Sequence, residues 1–140
     1  MEETTENLFE QGLERYRAGE AAADLLPIFK QVCDLEPKNG SAWSCLAWLY
    51  LLEEQPQKAL KAAQKSVKID PKLPQAHVNL VLSLLDNAQK GVRPHIELVQ
   101  KAMELDEEIR SGIVENIEDG LARKPDWESL KRVQKWLISE

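Results

Sequence analysis

Cysteine is scarce in this chain: Cys33 and Cys45 are the only two in 140 residues. They lack CxxC spacing, and no secretory leader is visible in the acidic start "MEETTENLFEQ". A disulfide framework is therefore not expected; the pair reads as small buried hydrophobes in a reducing, cytoplasmic compartment. Long apolar runs are missing too. The stretch "WSCLAWLYLL", Trp43 to Leu52, is about half of the roughly 20 residues a membrane span needs, which excludes direct membrane insertion. A basic excess is absent, since the net charge is −6, and nucleic acid is accordingly not an expected partner. There is no Gly-rich phosphate loop and no HExxH, and Ser, His and Asp fall in no recognisable catalytic arrangement. His77 and His95 are not at metal-ligand spacing, and Cys45 has no obvious base in its own helix. No enzyme, cofactor or metal site is expected.

Charge and periodicity are what the sequence does have. Residues 1–37 hold nine acids and three bases, so the whole net charge lies in the first quarter; the remainder has 15 of each sign. Strict strand-like alternation is lacking. Apolar residues instead recur three and four apart between turn signals at Gly19, "EPKNG", Gln55-Pro56, "DPKLP", Gly91 to Pro94 and Lys124-Pro125. The spacing predicts helices near 4–18, 24–35, 40–53, 56–69, 74–89, 93–105, 108–122 and 126–138, an all-α array. Proline ends "CDLEP" at Pro37 and "VKIDP" at Pro71, 34 residues apart, and a weaker copy, "MELDE", ends at Glu107. A period of this size marks a helical solenoid, and each proline stops a helix because it cannot continue one.

Over residues 40–73 the order Trp43, Leu46-Ala47, Tyr50, Ala59 and Pro71 resembles the tetratricopeptide repeat family. Residues 5–39 fit through Leu8, Gly12, Tyr16 and Gly19, with the second helix (Leu25, Phe29, Val32, Pro37) running one residue late and Pro27 placed in its first turn. Residues 74–107 fit loosely through Ala76, Leu80, Leu84 and Ala102, with two extra residues around "KGVRP". Residues 108–138 keep only the hairpin rhythm, and Asp126 is positioned to cap a last helix with a polar outer face. The resemblance implies a single right-handed superhelix of helix pairs, about eight helices, that binds a peptide or protein in a concave groove.

On the helical wheel Trp43, Leu46, Ala47 and Tyr50 fall on one side of the apolar run, the side expected to pack. The resemblance turns the other side to the groove: Ser44, Cys45, Trp48, Leu51 and Leu52. It places Val78, Asn79, Leu82, Leu85 and Asp86 there from the third repeat, and Phe9, Leu13, Tyr16 and Arg17 from the first. Where related proteins carry a basic clamp for a terminal carboxylate, this chain has Phe9, Leu13, Cys45, Gln75 and Asn79, and only Asn79 keeps the residue type. The implied partner is thus a protein or peptide offering apolar side chains, held by a monomer with an open groove. The alternatives are a groove filled by the chain's own last helix, a self-associating module, and an accessory subunit of an enzyme complex. Lys58, Lys61, Lys65, Lys68 and Lys72 form a basic stripe that reads as a solvated outer face. Trp136 lies outside the last helix's apolar stripe and is expected to rest, partly exposed, on the edge of the preceding hairpin.

Overall fold

In a computed structural model, residues 4–138 are described; Glu2 and Glu3 of the acidic first quarter lie outside them. The described residues form eight helices: α1 (Thr5–Arg17), α2 (Ala22–Leu35), α3 (Gly40–Leu52), α4 (Pro56–Ile69), α5 (Pro74–Asp86), α6 (Arg93–Leu105), α7 (Glu107–Arg123) and α8 (Glu128–Ile138). Their starts are written in the sequence. Thr4 accepts a hydrogen bond from the Asn7 amide, Asn39 from that of Ala42, and Asp106 from those of Glu108 and Ile109, which satisfies donors that the first helical turn leaves free. Pro56 and Pro74 open α4 and α5, where a missing N–H costs nothing.

The turns within the first three helix pairs share a device. Gly19, Glu54 and Ala88 each have positive φ, at 90°, 56° and 55°. They stand 35 and 34 residues apart, so the single-residue lag in the first repeat is visible in the backbone. The loop after α5 lengthens to residues 87–92, which absorbs the extra residues around "KGVRP".

Two expectations about helix ends are corrected. α2 begins at Ala22, two residues early, so Pro27 sits in the second turn rather than the first. Its missing donor leaves the Ala23 carbonyl without an intrahelical partner, and both residues are exposed. α8 begins at Glu128, so Asp126 stands one residue too early to cap it.

Successive helices pack antiparallel, and α3 lies between α2, α4 and α5. Small residues allow the close approach: Ala42, Ala47, Ala59, Ala62, Ala63 and Ala76 are all buried. The lysines of α4 are exposed on the outside, where Lys65 lies 5.0 Å over the Trp43 ring and Lys58, with Lys30 of α2, 5.9 Å over Tyr50. α8 presents Leu130, Val133 and Leu137 inward and Glu128, Lys131, Arg132 and Lys135 outward. Trp136 is half-buried; its carbonyl accepts from Gln100 of α6 at 3.0 Å and its ring lies 5.1 Å from the Arg132 guanidinium.

The last pair departs from simple stacking. α5 packs on α8, while α7 runs along the concave side and reaches the far end of α1. No described helix is long and apolar enough to cross a membrane.

Candidate functional site

The concave side holds a cavity of about 640 Å³. Its floor is apolar, built from Leu13 of α1, Phe29 of α2, and Cys45, Trp48 and Leu49 of α3. Its polar wall comes from α5 and α7. There Asn116 donates to Gln75 at 2.8 Å, Gln75 donates to Asn79 at 2.8 Å, and Asn79 donates to the carbonyl and hydroxyl of Ser44, both at 2.9 Å. Asn79, the one residue type kept at the clamp positions, is therefore committed to holding α5 against α3.

The closed end is a cluster around Tyr16. The Trp48 indole N–H donates to the Tyr16 hydroxyl at 2.7 Å, and that hydroxyl donates to the Asp119 carboxylate. Arg123 pairs with Asp119 at 3.2 Å and donates to the carbonyls of Tyr16 and Glu20 at 2.7 and 2.8 Å. Its guanidinium lies 4.0 Å over the Tyr16 ring. A cation bonded to carbonyls at the C-terminal end of α1 also meets the negative end of that helix's dipole. Burial, followed by the bond to Asp119, raises the Tyr16 phenol well above its ordinary range.

Seven of the groove residues read from sequence line this cavity: Leu13, Tyr16, Arg17, Ser44, Cys45, Trp48 and Asn79. The other seven are elsewhere. Leu51, Val78 and Leu82 are fully buried in the core. Leu85 is half-buried against that core, and Asp86 accepts a hydrogen bond from the Trp127 indole at 3.1 Å. Phe9 stands edge-on to Phe29 at 5.9 Å, and Leu52 borders a small depression beside Ala22.

The expectation of an open groove is corrected. Trp48 is only 8% exposed and meets Trp127 at 5.4 Å between ring centroids. The chain's own C-terminal pair covers this part of the concave side, so α3 is enclosed on both faces at Trp48, while Cys45 still faces the cavity. Sequence reasoning missed the α7 contribution of Gly112, Glu115, Asn116 and Asp119. One signal was available: Gly120 stands inside a helix, where glycine is disfavoured, and in the structure a β-carbon there would lie 2.6 Å from Leu130 and 2.9 Å from Trp48.

His77 and His95, which the sequence did not pair, also meet. Their Nδ1 atoms are 2.9 Å apart, and Nε2 of His77 donates to the Pro71 carbonyl at 2.6 Å. That fixes Nδ1 of His77 as the acceptor and Nδ1 of His95 as the donor. Among the described residues no group of three or more His, Cys, Asp or Glu side chains is placed to hold a metal ion.

The tetratricopeptide repeat family model matches residues 40–73. No relative is found among curated protein sequences. Solved structures are similar over nearly the whole chain. The type III secretion translocator chaperone SycD of Yersinia enterocolitica, in an alternative dimer, aligns with a TM-score of 0.63 and 18% identity, over 98% of this chain and 91% of that one. The OM64 tetratricopeptide domain of Arabidopsis gives 0.58 and 15%, over 97% and 95%. The Sgt2 tetratricopeptide domain of Aspergillus fumigatus gives 0.57 and 20%, over 94% and 74%. Identities this low speak for the fold, and the family match speaks for the second helix pair. Residues 40–73 are a tetratricopeptide repeat, carried in a chain with the fold of a tetratricopeptide array.

Proposed function

We propose that this protein is a non-catalytic adaptor or assembly scaffold that binds an apolar peptide or helix on its concave side. The supporting observation is the cavity of about 640 Å³ with an apolar floor, a size that suits a bound ligand and a place where repeat arrays present their inner surface. The concave side is narrower than an open groove, so the ligand inserts a few apolar side chains and is not cradled along its length. The likeness to a secretion chaperone and to two tetratricopeptide domains supports the same reading. Burial pushes the Cys45 thiol up to about 12, the opposite of what a nucleophile needs, which supports a non-catalytic cavity. Free Cys33 and Cys45 support a reducing, cytoplasmic setting.

Gly112 provides the test. It lines the cavity, and a β-carbon there would meet nothing within 4 Å. Peptides selected on the wild-type protein from a displayed library should be rich in apolar residues and should lose binding to Gly112→Leu, whose fold is intact by circular dichroism. Retained binding by that variant moves the site out of the cavity. A self-associating module is the second reading, favoured by Leu98 and Leu105, which lie seven residues apart on α6 and are 38% and 79% exposed. Sedimentation of the free protein as a monomer rules it out.

A further inference from the structure

Three charged side chains line the cavity: Arg17 from α1, and Glu115 and Asp119 from α7. Asp119 is committed, since Arg123 and the Tyr16 hydroxyl both hold it. Arg17 and Glu115 are exposed, and among the described residues neither side chain has an ion-pair or hydrogen-bond partner. Helical register puts them there. α7 turns Gly112, Glu115, Asn116 and Asp119 to the cavity at three- and four-residue spacing, and α1 turns Leu13, Tyr16 and Arg17. Arg17 stands over the apolar floor, because burial raises the Cys45 thiol and the Arg17 charge works against it. Gln75 and Asn79 of the polar wall are engaged with Asn116 and Ser44. Two opposite and unmatched charges are therefore what this surface offers a ligand beyond apolar contact.

We infer that Arg17 and Glu115 select the ligand by charge. The apolar segment carries an acidic side chain for Arg17 and a basic one for Glu115, on either side of the apolar side chains it inserts. The inference rests on reading the cavity as the binding site and adds which apolar segments that site takes. Exposed pairs add little affinity, whereas a like charge facing either residue is repelled, so the two discriminate among ligands of equal apolar content. A uniformly acidic or uniformly basic segment meets one attraction and one repulsion, and gains nothing.

The test is charge exchange on the full chain. A displayed library of random peptides is selected on the wild type, on Arg17→Glu and on Glu115→Arg. Both residues are exposed, so circular dichroism should show all three folds alike. Wild-type peptides should share an apolar centre with an acid and a base at fixed positions. Arg17→Glu should turn the acidic position basic, and Glu115→Arg the basic position acidic, each leaving the other position unchanged. By fluorescence anisotropy, one wild-type peptide should bind Glu115→Arg about tenfold more weakly, the scale of replacing an exposed attraction by a repulsion. It should recover when its own base is changed to an acid. Apolar peptides selected without a charge preference, or a loss that the exchanged peptide does not recover, overturn the inference and leave the cavity reading in place. Peptides that still bind Gly112→Leu, or no apolar selection at all, remove the cavity as the site and this inference with it.

Discussion

Gly120 and Trp48 approach so closely that a β-carbon on the glycine would lie 2.9 Å from the indole. The two residues are 72 positions apart, and their contact is where the C-terminal pair seats on the second repeat. Gly112, two turns earlier in the same helix, faces open space.

The two glycines should therefore respond oppositely to alanine. Gly120→Ala should destabilise the fold by about 1–3 kcal/mol, because overpacking costs more than the gain in helix propensity. Gly112→Ala should stabilise it by up to about 1 kcal/mol. Urea unfolding of the two variants side by side checks this; a stabilised Gly120→Ala would mean that α7 does not seat on Trp48.

Trp48 is enclosed rather than offered to a partner, so Trp48→Ala should cost about 3–5 kcal/mol, the range for truncating a buried aromatic. It should also free the Tyr16 hydroxyl from its indole donor. A loss in urea unfolding no larger than that of a surface substitution, about 0.5 kcal/mol, would restore the open groove.

Ala88 occupies a left-handed turn position at φ 55°, where the corresponding residue of the first repeat is Gly19. Ala88→Gly should stabilise by about 0.5–1 kcal/mol, the relief of backbone strain less the extra entropy that glycine loses. Thermal unfolding reads the shift. An unchanged or lowered midpoint would show that the turn holds Ala88 without strain.

His95 lies below its ordinary value of 6.5, first because burial disfavours its charged form and then because His77 stands beside it. The unfolded chain takes up a proton near 6.5 while the folded one resists it. Stability should fall as pH drops through 6.5 and stop falling below the folded value of His95. The difference in urea midpoint between wild type and His95→Asn, followed from pH 7.5 to 5.5, isolates this group from carboxylates that titrate lower. A difference that stays flat over that window would mean that His95 titrates alike in both states.

Helix starts were legible where they fall on a residue with a local reason: Thr4, Asn39 and Asp106 as caps, and Pro56 and Pro74 at first positions. The concave side was legible only in part. A wheel for α3 places Ser44, Cys45 and Trp48 on one face, as found at the cavity, but says nothing of what lies over that face. The cover depends on contacts such as Tyr16 to Asp119 and Glu20 to Arg123, each spanning 103 residues. No local pattern encodes those pairings, and Asp119 and Arg123 read on their own as an ordinary surface pair four apart. Asp86 was placed towards the ligand for the same reason, although the Trp127 indole takes it.

A stack of repeats ordinarily has two free ends, and its stability is a sum over neighbours that permits fraying from either one. Here Arg123 ties the last pair back to the Tyr16 carbonyl at the end of α1 and the Glu20 carbonyl in the turn that follows, so the first and last units are neighbours as well. The stack is closed on itself like a belt through its buckle. Neither terminal pair can peel away without breaking contacts to the opposite terminus, which favours one concerted unfolding step over stepwise loss of repeats. The same closure fixes how many helices fit between α1 and α7: a further pair inserted between α6 and α7 would carry Arg123 out of reach of Glu20 and undo the fastening.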